Sequence, residues 1–216
     1  MSRLSQRALR PGAIALLLLA APPVLDAGGW AVVTVGKMPD TVVVGQPVTL
    51  TYAVRQHGQR LLSGLNGRIE ARFGGARITA TAARLPEEGH YTATFTLPSA
   101  GTWTVDIHSG FDNRPGRVAL HAIEPGTVVA APSPAERGQG LFVSKGCVTC
   151  HLEGMSGAPT LEASGYEPGY LTRFLTRPPQ PEGNEWRMPD LRLDQAEVAS
   201  LVAFLNARRP TAASTR

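Results

Sequence analysis

Two small domains of different class, an all-β sandwich followed by an all-α unit, are what this 216-residue chain predicts. Three observations carry that expectation. Apolar residues recur with period two over residues 30–123, and with helical spacing from residue 136 onward. Between them, residues 124–135 hold three prolines and few anchoring side chains, the composition of a semi-rigid extended tether. The length suits two domains of modest core.

Residues 1–27 read as a signal peptide. Arg3, Arg7 and Arg10 precede an apolar run over residues 13–21, then Pro22, Pro23 and small residues up to Ala27. The run is too short to span a bilayer, so export and cleavage are expected. Leu25 fits the third position before such a cut imperfectly, which keeps an uncleaved anchor to the inner membrane open. Either way the folded chain is expected in the periplasm. This segment also carries half of the formal charge of +4. The basic balance of the remainder is therefore slight, and no basic stripe interleaved with aromatics points to nucleic acid.

Residues 28–123 form the β domain. Val48, Leu50, Tyr52 and Val54 alternate with Thr49, Thr51 and Ala53, and Ile69, Ala71 and Phe73 alternate with Arg68, Glu70 and Arg72. Gly74 and Gly75 turn the chain into Ile78, Ala80 and Ala82. Further strands carry Tyr91, Ala93, Phe95 and Leu97, then Trp103, Val105 and Ile107, then Val118, Leu120 and Ala122. With residues 31–35 and 41–44 these make seven or eight strands. One-sided alternation requires a second sheet as cover, so an immunoglobulin-like sandwich is the economical solution. The stretch Gly45, Gln46, Pro47, Val48, the run Gly89, His90, Tyr91, and residues 98–103 leading into Trp103 resemble the FixH-like and YtkA-like sandwich modules of exported bacterial proteins. His57, His90, His108 and His121 share no ligand spacing. They are expected to fill loops and strand ends, with a copper or zinc role as the alternative.

Helical grammar begins with residues 136–145, where Gly138 and Phe142 lie one turn apart on one face. A shorter helix over residues 169–176 presents Tyr170, Leu171, Phe174 and Leu175 and stops at Pro178 and Pro179. The last helix follows Leu193: Asp194 and Glu197 make a capping box, and Val198, Leu201, Val202 and Leu205 keep helical spacing beside Phe204.

Between the first two helices lies Cys147, Val148, Thr149, Cys150, His151. Two thiols two residues apart can form thioethers to a porphyrin edge, and the adjoining imidazole is then placed against the iron, so the run predicts one covalent haem c. These are the only two cysteines of the chain. A structural zinc site would need two further ligands at matching spacing, and a thioredoxin-like dithiol would need a βαβ context. Neither is present in the sequence.

At these residues the chain becomes similar to a known family: 136–207 resembles a small class I cytochrome c. In that family an N-terminal helix crosses a C-terminal one through a glycine and two aromatic rings, which match Gly138, Phe142 and Phe204, with one extra residue, Gly146, before the first cysteine. The resemblance implies that Pro159 lends its carbonyl to the haem-binding histidine and that Met188, before Pro189, is the distal ligand. Elimination reaches Met188 independently. Met1 leaves with the signal, Met38 belongs to the β domain, and Met155 lies only four residues after His151. Pro189 keeps Met188 extended, able to lay its thioether over the ring. Arg173, Arg177, Arg187 and Trp186 could meet the haem propionates, or be solvated arginines and a structural tryptophan.

With both axial positions filled by His151 and Met188, substrate has no open coordination site. The expectation is an exported electron carrier, or a subunit of a larger oxidoreductase, exchanging single electrons with a redox partner protein, and not itself an enzyme. Two alternatives stand beside it: a haem sensor or enzyme with an open distal site, and a partner- or copper-binding sandwich with an accessory haem. The tether further predicts that the sandwich stands apart from the cytochrome and takes no part in electron transfer. Residues 208–216 read as a disordered tail.

Overall fold

The computed structural model describes residues 29–152, 158, 161, 166–180 and 188–208. It is a β-rich N-terminal domain followed by a small helical C-terminal domain. The predicted signal peptide, Met155, Pro159, Trp186, Arg187 and the tail beyond residue 208 lie outside the described residues.

Among the described residues, ten strands build two five-stranded sheets. They are β1 (Ala31–Val35), β2 (Val42–Val43), β3 (Pro47–Gln56), β4 (Arg60–Leu61), β5 (Arg68–Phe73), β6 (Ala76–Thr81), β7 (Ala83–Arg84), β8 (His90–Thr96), β9 (Gly101–His108) and β10 (Gly116–Ile123). One sheet runs β1-β3-β8-β7 with β4 also on β3, and the other runs β2-β10-β9-β5-β6. Pairing is antiparallel except between β2 and β10. The inward residues read from the alternation close the core: Leu50, Tyr52, Val54, Ile69, Tyr91, Trp103, Val105, Ile107 and Leu120 are all buried. Short β4 and β7 are additions to the expected strand set.

β1 departs from one-sided burial. Ala31, Val33 and Val35 join the sandwich core, yet Val32 and Thr34, which point the other way, are buried too. The helical domain covers them.

That domain contains α1 (Pro134–Ser144), α2 (Cys147–His151), α3 (Pro168–Thr176) and α4 (Gln195–Ala207). α1 starts two residues before the expected position, because Ser133 and Glu136 form a reciprocal capping box and Pro134 is pre-set for the first turn. α4 carries the Asp194 and Glu197 box as expected. The two helices cross where Gly138 faces the backbone of Ser200; a Cβ on Gly138 would lie 2.0 Å from the Ser200 carbonyl oxygen. Phe142 and Phe204 pack beside that crossing with ring centroids 5.6 Å apart.

The separation of domains expected from the tether does not hold. Lys145, the C-cap of α1, is buried and donates from Nζ to the carbonyl of Gly36 just past β1 at 2.6 Å. The same Nζ lies 2.8 Å from a carboxylate oxygen of Glu197 on α4. The Thr34 hydroxyl donates to the Lys145 carbonyl at 3.4 Å, and Arg137 pairs with Asp40 at 3.2 Å. Proline makes the connection stiff, but it does not prevent the residues it joins from folding back on β1.

Candidate haem site

α1 delivers the cysteine pair. Its helix ends at Lys145, Gly146 takes a left-handed backbone (φ 78°), and α2 restarts at Cys147. The turn requires the glycine twice over. Its φ suits glycine, and a Cβ there would lie 2.4 Å from Cγ1 of Val32 and 2.8 Å from the carbonyl oxygen of Val33. The residue that is extra against the cytochrome pattern is thus where β1 presses on the helical domain.

Cys147, Cys150, His151 and Met188 all line one cavity of about 340 Å³, within the range of roughly 300–1,000 Å³ found for small-molecule sites. Its wall is mostly apolar: Phe142 and Leu161, Leu171, Phe174 and Leu175, and Leu201 and Leu205 of α4. Tyr166, Tyr170 and Phe174 stack in succession along one side, with centroid separations of 5.3 and 5.8 Å. The Phe142 ring stands 6.4 Å from the His151 ring, between it and Phe204. Arg173 and Arg177 are exposed and lie outside the lining.

The donor set fits haem. Burial foremost pushes the Cys147 thiol up to about 12. A redox dithiol needs the opposite, a thiolate stabilised near neutral pH. An imidazole and a soft thioether in an apolar chamber suit an iron porphyrin. Among the described residues no group of three or more His, Cys, Asp or Glu could hold a separate metal ion. His90 instead contacts the Glu88 carbonyl at 2.8 Å, and His121 contacts the Thr102 hydroxyl at 3.0 Å.

Sequence reasoning missed one part of the site. Val32, Thr34, Arg55, His57, Gly58 and Gln59, all from the sandwich, line the same cavity. His57 sits in the turn after β3 with φ 52°, its ring 5.7 Å from that of Trp30. The only trace of this in the sequence is Val32, an apolar residue on the outward side of β1.

Residues 133–205 match the family described as cytochrome c oxidase, cbb3-type, subunit III. The match supports a cytochrome c domain in the C-terminal third, and with it haem binding and electron transfer. No curated protein matches it. Among solved structures, it is similar to trypsin-activated alpha-2-macroglobulin from Escherichia coli, with 19% identity over 43% of this chain and 6% of that one and a TM-score of 0.35. The chain therefore spans a small fraction of the macroglobulin's length. The Lin-41 filamin domain gives 12% identity over 43% of this chain and 91% of that one, with a TM-score of 0.35. A superoxide reductase (neelaredoxin) from Ignicoccus hospitalis gives 15% over 43% and 80%, with a TM-score of 0.30.

Proposed function

We propose that this protein is an exported c-type cytochrome with one covalent haem, axially held by His151 and Met188, that passes single electrons to and from a redox partner protein. The observation that carries the reading is the gathering of Cys147, Cys150, His151 and Met188 around one apolar cavity. When bound, the haem supplies a one-electron couple, and a soft thioether opposite imidazole favours its ferrous form.

The residues divide the remaining work. Cys147 and Cys150 fix the group to the chain. The Phe142 ring beside His151 limits the positions the imidazole can take. Pro189 keeps Met188 out of helical conformation, and Leu171, Leu175, Leu201 and Leu205 keep water away from the chamber. If His151 and Met188 both hold the iron, no site is left for substrate, and the reading is of an electron carrier or a subunit of a larger redox assembly. The match to an oxidase subunit family supports a protein partner. The signal-like sequence over residues 1–27 supports a periplasmic location, with membrane attachment if that segment is retained.

Acid-solvent extraction of the purified protein tests the core of the reading. Haem should stay with the polypeptide in the wild type and be lost when Cys147 and Cys150 are both replaced by Ala. Quantitative extraction from the wild type would overturn it.

A further inference from the structure

The sandwich contributes a charge to the cavity. Arg55 on β3 pairs with Val32 on β1, so both side chains stand on the sheet face turned to the helical domain, and both line the cavity. The Arg55 Nη1 atom is buried and has no hydrogen-bond partner among the described residues. A buried, unsatisfied guanidinium N–H is rare in native proteins, and where one occurs a missing partner is the first explanation to try. The charged groups acting on Arg55 are Arg192 and Asp190 from the segment after Met188, and Glu87 from the sandwich. Lys145 and the rings of His57 and His151 line the same cavity. Desolvation foremost, and then the Arg192 cation, bring the Arg55 pKa down, but a guanidinium stays protonated in proteins.

We propose that Arg55 is a haem-facing cation supplied by the sandwich, and that its charge holds the reduction potential of the haem up. The physics is direct. A fixed positive charge in a poorly solvated wall disfavours the more positive, ferric state, and water screens it little there. The free Nη1–H gives the same charge a place to hold an anionic acceptor, and the carboxylates of the haem are acceptors of that kind. The sandwich then belongs to the redox centre, although the sequence presents it as a separate attachment. This inference rests on the covalent-haem reading.

Redox titration of purified holoprotein carrying Arg55→Gln or Arg55→Met tests it. Both variants remove the charge, and Met also removes every polar atom, so it leaves no unpaired donor behind. Each should shift the ferric-to-ferrous ratio at fixed ambient potential about tenfold toward ferric, roughly 59 mV for a one-electron couple. The two shifts should agree, and Arg55→Lys should restore most of the wild-type value. A shift of less than twofold in both variants, or a shift toward ferrous, overturns the proposal. Loss of folded holoprotein in both assigns Arg55 to the framework and overturns it as well. Wild-type protein without covalent haem would instead defeat the reading beneath it, an outcome visible in its absorption spectrum before any variant is made.

Discussion

The ammonium of Lys145 donates to the carbonyl oxygen of Gly36 at 2.6 Å, across the boundary between the helical domain and the sandwich. Because the same ammonium also holds Glu197 at the start of α4, a single side chain ties α1, α4 and the end of β1 together. Lys145→Ala should cost roughly 3–5 kcal/mol, the range for breaking a buried ion pair. The lower end is expected, since Glu197 keeps its cap bond to Asp194. Calorimetry should show one unfolding transition in the wild type and two in the variant, because the domains lose their shared anchor. A single transition in both would contradict this.

Gly146→Ala strains a left-handed backbone position and drives a methyl group into Val32 and Val33. The cost should be at least the roughly 1–3 kcal/mol of an overpacked core, read as a lower denaturant midpoint. Val32→Ala in the same protein should return part of it, since it removes the nearest clashing atom. No recovery would mean that backbone strain alone sets the cost.

At the α1–α4 crossing, Gly138→Ala meets backbone and not a flexible side chain, so the helices must move apart. Destabilisation should exceed that of Gly140→Ala on the same helix, where a Cβ would have nothing within 4 Å. The helix-propensity gain of roughly 1 kcal/mol from Gly to Ala should make the Gly140 change neutral or stabilising. Thermal unfolding of the pair decides it.

Met188→Ala should abolish the weak methionine-to-iron charge-transfer band of the oxidised protein, lower the potential and admit small ligands. Met155→Ala should do none of these. The reverse pattern would defeat the assignment of Met188 to the iron.

Acid stability should register Asp106. This carboxylate is buried on β9 and paired with Arg117 at 2.6 and 3.1 Å and with Arg72. The Arg117 hydrogen bond foremost holds its pKa below the usual carboxylate range. A folded pKa below the unfolded value of about 3.9 means the contribution is complete above that pH and fades as pH falls through the folded value. Asp106→Asn should therefore lose roughly 1.5–3 kcal/mol at neutral pH, with the gap to wild type narrowing below pH 4. A gap independent of pH would contradict the ionic account.

The sandwich was legible where burial is one-sided, as in Leu50, Tyr52 and Val54 on β3 or Ile69 and Ala71 on β5. β4 and β7, two residues each, are too short to show any period. The start of α1 was written in Ser133, Pro134 and Glu136, although the helical spacing of apolar residues begins later. Cys147, Cys150, His151 and Met188, which line the cavity, could be singled out because the Cys-x-x-Cys-His run is tied to residue type at fixed spacing and the other methionines could be eliminated. Arg55, His57 and Gln59 could not. They reach the cavity only because β1 docks on α1, and that docking turns on Gly146 and Lys145, a glycine and a lysine with no motif of their own.

On the covalent-haem reading, the wall that β1 and the turn after β3 lend to the cavity bears on the order of maturation. Thioether formation would require the Cys147 and Cys150 sulfurs to meet the haem, and β1 lies against Gly146, directly before the first of them. The sandwich comes first in the chain and, on the covalent-haem reading, closes last, because its seat on the helices forms a wall of the cavity the haem would enter. Alkylation of the two thiols in protein made without haem should accordingly be slow in the wild type and fast in Lys145→Ala, whose latch is broken.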